Sequence, residues 1–333
     1  MELMYSIVVP VYNRPDETDE LLESLTAQTF EHPFEVVIVE DGSTETSEKI
    51  CEKYREQLDI SYYFKENSGP GDSRNYGMRK AKGNYFIILD SDCILPPEYL
   101  TAADESLREN YVDCFGGPDA SHSSFTTIQK AISYAMTSFL TTGGIRGHKN
   151  AVDKFQPRSF NMGISKAAFE KTQGFGKIHP GEDPDLTIRI WKAGFETKFI
   201  EKAFVYHKRR ISWKKFYKQV YKFGLARPIL NKWHPHTKKI TYWFPAMFVL
   251  ALAAAILIFF SLSAIPLLLF AIYFTVLFLD SLVKNKSIVI AFLSLYAVLI
   301  QFLGYGYGFL RSSFLLKLNK EEPEKVIPEL FFD

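Results

Sequence analysis

The first ninety residues alternate between short apolar runs and stretches that have the spacing of amphipathic helices. The apolar runs are rich in β-branched and aromatic residues and occupy residues 5–13, 34–43, 60–66 and 84–90. The stretches between them carry helical periodicity and helix-start signals, at residues 15–30, 46–58 and 71–83. Strands that alternate with helices predict an α/β unit with a mostly parallel sheet covered on both faces. Uninterrupted apolar strands fit that burial.

The pattern changes after residue 240. Residues 243–310 contain only three charged residues, Asp280, Lys284 and Lys286. Three apolar runs fill this region, at residues 243–263, 264–283 and 287–310, and each has about the 20 residues needed to cross a bilayer. A soluble protein would need a very large shell to bury all three, so we expect C-terminal transmembrane helices. The expected division is a domain at 1–225, a basic and aromatic linker at 226–242, a membrane domain at 243–310 and a charged tail at 311–333.

The distribution of lysine and arginine predicts the orientation of these helices. Twelve Lys and Arg residues lie between positions 202 and 239, among them Arg209 and Arg210. The turn between the first two runs is uncharged, whereas Lys284 and Lys286 follow the second. Because positive loops stay in the cytoplasm, we expect a multi-pass protein of the inner (cytoplasmic) membrane with its first domain in the cytoplasm. Three full crossings put the tail outside, but its basic residues favour the inside, which leaves the third run open as a re-entrant or interfacial segment.

Composition narrows the expected partners and compartment. A net charge of +1 gives no field that would attract nucleic acid, so no nucleic acid partner is expected. The three cysteines form no C-x-x-C pair, which is typical of a reducing compartment. The first residues, "MELMYSIVVPVY", lack the basic region and cleavage site of a signal peptide and are expected to form a strand.

Two carboxylates, Asp90 and Asp92, follow the run at 84–90 with one serine between them. Like charges this close repel and resist burial, so a cation is expected beside them. Residues i and i+2 of an extended backbone point the same way, and carboxylate oxygens suit Mg²⁺ or Mn²⁺. In open sheets of this kind ligands bind at the carboxyl ends of strands. D-x-D alone is common and by itself favours a solvated turn after a strand, so its meaning depends on the other motifs.

Four motifs occur in the order "VVPVYNR", "VVIVEDGS", "GPGDSRNYGMRKAKGNYFIILDSD" and "GEDPDLTIRIWKAGF". Their order and spacing resemble the family 2 glycosyltransferases, inverting enzymes with a GT-A nucleotide-sugar-binding fold, over residues 5 to about 225. The resemblance implies a nucleotide-diphosphate sugar as donor, with a UDP-sugar expected, and Mn²⁺ or Mg²⁺ as cofactor. The apolar C-terminal part is similar to that of members that act on lipid-linked saccharides, so a lipid-linked or polysaccharide acceptor at the membrane is expected.

The resemblance also assigns site residues. It places nucleotide-sugar contacts on Pro10, Val11, Tyr12, Asn13, Asp41, Arg74, Asn75 and Asp90. It implies that Asp92 coordinates the cation on the diphosphate, with Asp90 on the ribose or the water shell of the metal. Asp183 aligns with the general base of the family, and Glu182 is assigned to the acceptor side.

Several of these residues have a structural explanation as well. Arg74 fits a surface position on the first turn of a helix, and Asp185 fits a charge that stabilises a helix N-terminus. Ser43, Thr44 and Thr46 can cap the helix at 46–58, which would leave Asp41 free for a base. His207 follows a strand-like segment and is either a third metal ligand or a structural histidine.

Residues 205–224 are rich in basic and aromatic residues. Gln219, Lys222 and Phe223 only loosely echo the Q-x-x-R-W pattern of processive polysaccharide synthases, because the Arg and the Trp are both replaced. This favours transfer of a single sugar, and the run favours a helix at the membrane interface.

Two other functional classes are considered. A nucleotidyltransferase shares the alternating fold, but its glycine-rich first loop has no counterpart in "VYNRPDE". A non-catalytic membrane scaffold would not require Asp41, Asp90, Asp92 and Asp183 together. The sequence therefore favours a membrane-anchored inverting glycosyltransferase of the hexosyltransferase type.

Overall fold

The computed structural model describes residues 2–120, 125–143, 154–208 and 212–332. Arg209 and Arg210 of the basic approach lie outside these ranges. The chain forms two compact units. The first contains the described residues 2–120, 154–208 and 332, and the second contains residues 125–143 and 212–331.

The elements follow the predicted order. The strands are β1 (Tyr5–Val11), β2 (Glu35–Asp41), β3 (Asp59–Lys65), β4 (Tyr85–Leu89), β5 (Cys93–Ile94), β6 (Cys114–Gly116), β7 (Asp119–Ala120), β8 (Asn161–Ser165), β9 (Thr197–Phe199) and β10 (Val205–His207). The helices are α1 (Pro15–Thr26), α2 (Glu48–Tyr54), α3 (Pro70–Lys80), α4 (Tyr99–Glu109), α5 (Thr127–Thr137), α6 (Phe139–Thr142), α7 (Lys166–Thr172), α8 (Glu182–Lys192), α9 (Trp213–Trp233), α10 (Phe244–Ser261), α11 (Ile265–Asn285), α12 (Ile288–Leu318) and α13 (Pro323–Val326). Each strand and helix predicted before residue 90 is present.

The first unit is built on a seven-stranded sheet in the order β3-β2-β1-β4-β8-β6-β9. Strands β3, β2, β1 and β4 are parallel, as predicted. Strand β8 runs antiparallel to both β4 and β6, which makes the sheet mixed and mostly parallel. The carboxyl ends of β1, β2 and β4 therefore meet at one edge, where Asn13, Asp41 and Asp90 follow the strands.

Apolar residues of the central strands alternate between the two faces of this sheet. Ile7 and Val9 pack into one buried cluster and Val8 into the other. Helix α3 lies close against the second face, since a Cβ built on Gly77 would be only 2.5 Å from Cγ1 of Val8. This close approach holds the first turn of α3, and with it Arg74, at the edge where the strands end.

A small sheet in the order β5-β10-β7 lies beyond the end of β4. Strands β10 and β5 are antiparallel, and His207 pairs with Cys93. This pairing joins two segments that are more than a hundred residues apart in the sequence. It brings His207 next to the second carboxylate of the D-S-D motif.

The second unit contains the apolar helices. Three helical stretches, Ile240–Ser261, Ile265–Asn285 and Ile288–Leu318, are long and apolar enough to cross a membrane. The three predicted apolar runs are thus confirmed as helices. This unit also includes α5, α6 and all of α9, whereas the hydrophobic pattern assigns residues up to 225 to the first domain. The reason is that α9 packs along α12. The bounds of the four predicted segments stay predictions.

Candidate active site

The two carboxylates after β4 have different partners. Asp90 Oδ1 lies 2.7 Å from Nη2 of Arg74. Asp92 Oδ2 lies 3.2 Å from Nη1 of Arg14, and Asp92 Oδ1 lies 3.2 Å from Nε2 of His207. The two arginines supply the positive charge that adjacent carboxylates require.

His207 is held by packing on one side. The ring of Phe160 stacks on the imidazole, with centroids 4.7 Å apart and an angle of 17° between the planes. Nδ1 of His207 is buried and makes no hydrogen bond within the described part of the chain. The stacking fixes the plane of the ring and keeps Nε2 directed at Asp92.

Asp92, Cys93 and His207 form a group of donors that fits a divalent cation. Their carboxylate, thiol and imidazole ligand atoms lie within 4.8 Å of one another. Mn²⁺ accepts imidazole together with carboxylate, whereas Mg²⁺ prefers oxygen ligands. The thiol of Cys93 lies 3.4 Å from the carbonyl oxygen of Phe160. The donor set therefore fits Mn²⁺ better than Mg²⁺, and Asp92 and His207 are the residues that would hold it.

Arg74 connects the D-S-D motif to the acidic start of α8. Its side chain is only 3% exposed, so it is not the surface arginine that its sequence position allows. Besides Asp90 it contacts Glu182, with 3.3 Å between Nη1 and Oε1. Its guanidinium also lies over the ring of Phe175, 5.3 Å from the centroid. Arg74 therefore contacts both the D-S-D motif and the acidic start of α8.

Glu182 and Asp183 are adjacent but have opposite electrostatic environments. Burial opposes ionisation of Glu182, but His179, 2.8 Å away, and Arg74 outweigh it and lower the pKa of Glu182 to about 2. Burial, together with the charge of Glu182, raises the pKa of Asp183 to about 6. Asp183 Oδ1 is buried and accepts no hydrogen bond from any described residue. One carboxylate is thus a fixed anion and the other is poised to take up a proton near neutral pH.

Asp185 has a separate role. Its Oδ2 accepts a hydrogen bond from Nε of Arg189 at 2.9 Å. Arg189 in turn donates to the carbonyl oxygens of Thr172 and Gly174, at 2.7 and 2.6 Å. Asp185 therefore stabilises the loop before α8, in addition to its favourable position in the first turn of the helix.

Asp41 is buried at the end of β2 and fixes the loop after β3. Its carboxylate accepts hydrogen bonds from Nζ of Lys65 at 2.7 Å and from the backbone N–H groups of Ser68 and Gly69 at 3.0 Å each. A carboxylate has about four acceptor positions, so one position is left for a ligand. The capping explanation assumed that Asp41 has no partners within the chain, whereas its carboxylate has three. Helix α2 begins only at Glu48 and has no side-chain cap.

The other predicted nucleotide contacts differ in how accessible they are. Tyr12 is 54% exposed, whereas Val11 lies in the core and Pro10 is half-buried. Asn13 has a positive φ of 51° and accepts hydrogen bonds from the backbone N–H groups of Thr44 and Glu45.

Asn75 is committed to the loop before α8. Its amide exchanges two hydrogen bonds with the backbone of Phe175, at 2.8 and 2.9 Å. Tyr12 is thus the most exposed of the predicted nucleotide contacts, and all of these predicted contacts stay predictions.

Three residues that were not predicted as site residues contact predicted ones. Arg14 contacts Asp92, His179 contacts Glu182, and Phe160 orients His207. Arg14 is the last residue of the first motif and His179 lies just before the last motif, so proximity in sequence was the available signal for both. Phe160 had no such signal, because only the pairing of distant strands brings it to His207.

A mixed sheet with acidic residues at the ends of β2 and β4, and a buried acid at the start of α8, is the architecture of a GT-A nucleotide-sugar transferase. The model of the family "Glycosyl transferase family 2" matches residues 6–172. The chain therefore belongs to glycosyl transferase family 2. The match ends before His207 and Asp183, so the roles of these two residues depend on the geometry.

Individual relatives show similarity over about a third of the chain. A glycosyltransferase of Rickettsia bellii is 41% identical over 105 residues, 32% of this chain and 15% of that protein. The poly(ribitol-phosphate) β-N-acetylglucosaminyltransferase TarS of Staphylococcus aureus is 37% identical over 114 residues, 33% of this chain and 20% of that protein. The matches thus span a fifth or less of the length of these relatives.

Among solved structures, the mannosyltransferase PcManGT from Pyrobaculum calidifontis, in complex with GDP-Man and Mn²⁺, is similar with a TM-score of 0.61. It is 16% identical, and the similarity covers 91% of this chain and 88% of that one. Residues 1–349 of Staphylococcus aureus TarS give a TM-score of 0.50 at 20% identity, over 92% of this chain and 90% of that one. At these identities the likeness shows the fold.

Proposed function

We propose that this family 2 glycosyltransferase is an inverting enzyme that moves one sugar from a nucleotide-diphosphate sugar to an acceptor held at the membrane. The observation that carries the proposal is Asp183, a buried carboxylate whose pKa is raised to about 6 and whose Oδ1 accepts no hydrogen bond within the described residues. Direct displacement at the anomeric carbon needs one base to take the proton of the acceptor hydroxyl, and a carboxylate with this pKa can do so at neutral pH.

The residues around Asp183 keep it in the role of a base. Glu182 stays ionised because Arg74 and His179 hold it. Its negative charge raises the proton affinity of Asp183, which increases the driving force for proton transfer. Arg74 also contacts Asp90, so one buried cation stabilises the negative charge of both Glu182 and Asp90. Oδ1 of Asp183 is the position to which an acceptor hydroxyl would donate.

Asp92 and His207 would hold the divalent cation, with Mn²⁺ favoured and Mg²⁺ as the alternative. The cation would neutralise negative charge on the leaving diphosphate. Arg14, which contacts Asp92, adds a second positive group at the same edge of the sheet. Because this assistance comes from cationic groups, the chain needs no acid opposite Asp183, unlike an inverting glycosidase with its pair of carboxylates.

We infer a UDP-sugar as donor, because Asp41 retains one acceptor position and Tyr12 offers an exposed ring at the end of the neighbouring strand. A carboxylate oxygen can accept the N–H of a pyrimidine base, and a ring can stack on it. TarS is named for the transfer of N-acetylglucosamine, which makes an N-acetylhexosamine donor the first to test.

The three apolar helices support an enzyme of the cytoplasmic membrane with a lipid-linked or polysaccharide acceptor. Lys284 and Lys286 between α11 and α12 support a cytoplasmic position for that turn. Residues after α12 return to α9, where Lys222 and Lys232 donate to the carbonyl oxygens of Glu329 and Glu321. We therefore infer that the tail lies on the side of the lysines of α9.

The test of the proposed function is a donor panel. Purified full-length protein in membrane mimetic is incubated with UDP- and GDP-sugars, a membrane extract as acceptor source, and Mn²⁺ or a chelator. We expect release of UDP from one donor, dependent on both Mn²⁺ and the extract. Release of pyrophosphate from a nucleoside triphosphate and a sugar phosphate, with no diphosphate release, would instead identify a nucleotidyltransferase.

A further inference from the structure

Glu40 lies next to Asp41 at the end of β2, is completely buried, and has no role in the proposed mechanism. A carboxylate enclosed by protein is costly unless hydrogen bonds replace its hydration. Oε2 of Glu40 accepts from the backbone N–H of Ser47 at 2.9 Å and from the hydroxyl of Tyr62 at 3.3 Å. Oε1 accepts from the hydroxyl of Ser43 at 2.5 Å, the shortest of the three contacts. The contact with Ser43 leads from this buried group to the edge where the strands end.

Ser43 connects Glu40 to the turn after β1. The backbone N–H of Asn13 donates to Oγ of Ser43 at 2.7 Å. Because an N–H group can only donate, Oγ is the acceptor in this bond, and the hydroxyl proton points elsewhere. It is directed at Oε1 of Glu40. The carboxylate therefore holds the hydroxyl in the orientation that serves Asn13.

Asn13 needs this support because its backbone is in the left-handed region, with a φ of 51°. Residues other than glycine rarely adopt this conformation, although Asn tolerates it better than most. Its Oδ1 accepts hydrogen bonds from the backbone N–H and the hydroxyl of Thr44, at 2.8 and 3.0 Å, and from the backbone N–H of Glu45 at 3.0 Å. The turn after β1 is thus held against the loop after β2 at both the backbone and the side chain of Asn13.

The two segments joined in this way carry the two groups to which the proposed function gives the nucleotide base. Tyr12, with a ring that is 54% exposed, directly precedes Asn13, and Asp41 directly follows Glu40. The hydrogen bonds from Glu40 through Ser43 to Asn13 therefore determine where Tyr12 lies relative to Asp41. A binding site that is already ordered before the ligand arrives loses less conformational entropy on binding.

We propose that Glu40 is a positioning residue for the nucleotide donor, acting through Ser43 and Asn13 on the placement of Tyr12 beside Asp41. Because Glu40 is completely buried, it does not itself contact the nucleotide. The inference rests on the proposed function for its ligand, a nucleoside diphosphate, and does not depend on which residue acts as the base. An ordered base pocket binds the ground state and the transition state equally, so its loss should raise KM for the donor and leave kcat nearly unchanged.

The test replaces Glu40 by Gln in the full-length chain, purified in membrane mimetic. The change keeps the size of the side chain but turns one acceptor oxygen into an NH₂ group, which cannot serve all three donors. Calorimetry measures binding of UDP and of GDP in the presence of Mn²⁺. We expect the affinity for UDP to fall about 10-fold, the value of one hydrogen bond to a charged group. KM for the sugar donor should rise by a similar factor, and kcat should change less than about twofold.

Glu35, at the opposite end of β2, provides the matched control. It is 5% exposed, and its carboxylate accepts from the hydroxyl of Ser6 at 2.8 Å and from the backbone N–H of Lys82 at 2.9 Å. Glu35→Gln therefore disturbs a similarly buried and hydrogen-bonded carboxylate far from the ends of the strands. It should lower Tm much as Glu40→Gln does, but it should leave the affinity for UDP and KM for the donor unchanged.

Ser43→Ala keeps the test decisive even if Glu40→Gln folds poorly. It leaves the contacts of Glu40 with Ser47 and Tyr62 in place and removes only the link to Asn13. It should weaken UDP binding by a similar factor. The double variant should bind UDP no more weakly than Glu40→Gln alone, because both changes break the same chain of hydrogen bonds.

The outcomes separate this inference from the proposed function. Unchanged UDP affinity in folded Glu40→Gln and Ser43→Ala would overturn the inference, as would an equal loss in Glu35→Gln or fully additive losses in the double variant. If wild type binds UDP, the variants weaken that binding as expected and no sugar is transferred, the inference stands and the proposed transfer reaction fails. If wild type binds neither UDP nor GDP, the proposed function fails and the inference fails with it.

Discussion

At the scale of single residues, the site depends on two adjacent carboxylates that behave differently. Glu182 contacts His179 and Arg74, which lower its pKa to about 2, whereas Asp183 is buried beside the negative charge of Glu182. The different environments of these two neighbouring carboxylates thus make one a fixed anion and the other a base. This separation is a property of the folded chain, because Arg74 reaches Glu182 across a sequence separation of 108 residues.

Replacing Asp183 by Asn tests the assignment of the base. The change keeps the volume but removes the basicity, so kcat should fall by roughly 10²–10⁴-fold. Binding of nucleotide diphosphate and Mn²⁺, measured by calorimetry, should be nearly unaffected. Asp185→Asn is the matched control: loss of the contact with Arg189 should lower the free energy of unfolding by about 1–3 kcal/mol, with little effect on kcat. Near-normal turnover in Asp183→Asn would show that the base lies elsewhere.

The pH dependence of the reaction follows from the same pair. Protonated Asp183 cannot accept the hydroxyl proton, so kcat/KM should fall as pH decreases through about 6. Glu182→Gln removes a negative charge that raises the pKa of Asp183, so the acid limb should move to lower pH. A pH–rate profile of both proteins measures this shift. An acid limb at the same pH in both proteins would contradict the electrostatic coupling.

At the scale of elements, strand ends determine which residues meet. The parallel order of β2, β1 and β4 was predictable, because apolar runs alternating with helices leave few other arrangements. The acidic residues at the ends of these strands were predictable with it. The antiparallel strand β8 and the hydrogen bond between Asn75 and Phe175 were not predictable, because each joins segments that are far apart in the sequence. Local periodicity carries no information on such pairings.

The pairing of β5 with β10 predicts a metal site that spans distant segments. His207→Ala should weaken Mn²⁺ binding on the order of 100-fold, since loss of a ligand costs at least as much as loss of a group that supports one. Asp92→Ala should abolish it. Electron paramagnetic resonance of bound and free Mn²⁺ measures both without requiring turnover.

Cys93→Ser is the control for this metal site. Because Mn²⁺ prefers nitrogen and oxygen donors to a thiol, this change should have only a small effect. If Cys93→Ser loses the metal and His207→Ala keeps it, the ligand set is wrong.

At the scale of the whole molecule, the sequence divides into a mixed part and an apolar part, and this division was visible from composition. What composition left open was the third apolar helix. In the structure, 44% of the most apolar stretch of α12 is buried, against 17% and 11% for the first two helices. Its contacts with α9 and α5, in addition to those with α10 and α11, explain the difference. Residues on α12 that read as lipid-facing in sequence are instead covered by protein.

Cysteine labelling in intact cells tests the resulting topology. A cysteine at Ser263, in the uncharged turn, should react with a membrane-impermeant reagent, whereas cysteines at Asn285 and Lys320 should not. The native residues Cys51, Cys93 and Cys114 are buried, which keeps background labelling low. Labelling at Lys320 equal to that at Ser263 would mean that α12 crosses fully and that the tail is outside. Equal labelling at Ser263 and Asn285 would refute the first two spans.

The central claim is a single displacement at the anomeric carbon, driven by one base. The stereochemistry of the product tests it most directly. With the donor identified by the panel, the anomeric configuration of the new glycosidic bond is read from its proton NMR coupling constant. One displacement predicts a configuration opposite to that of the donor, formed at a rate that Asp183→Asn lowers by roughly 10²–10⁴-fold. A product that retains the donor configuration would contradict the account, because it requires a second displacement or a different mechanism.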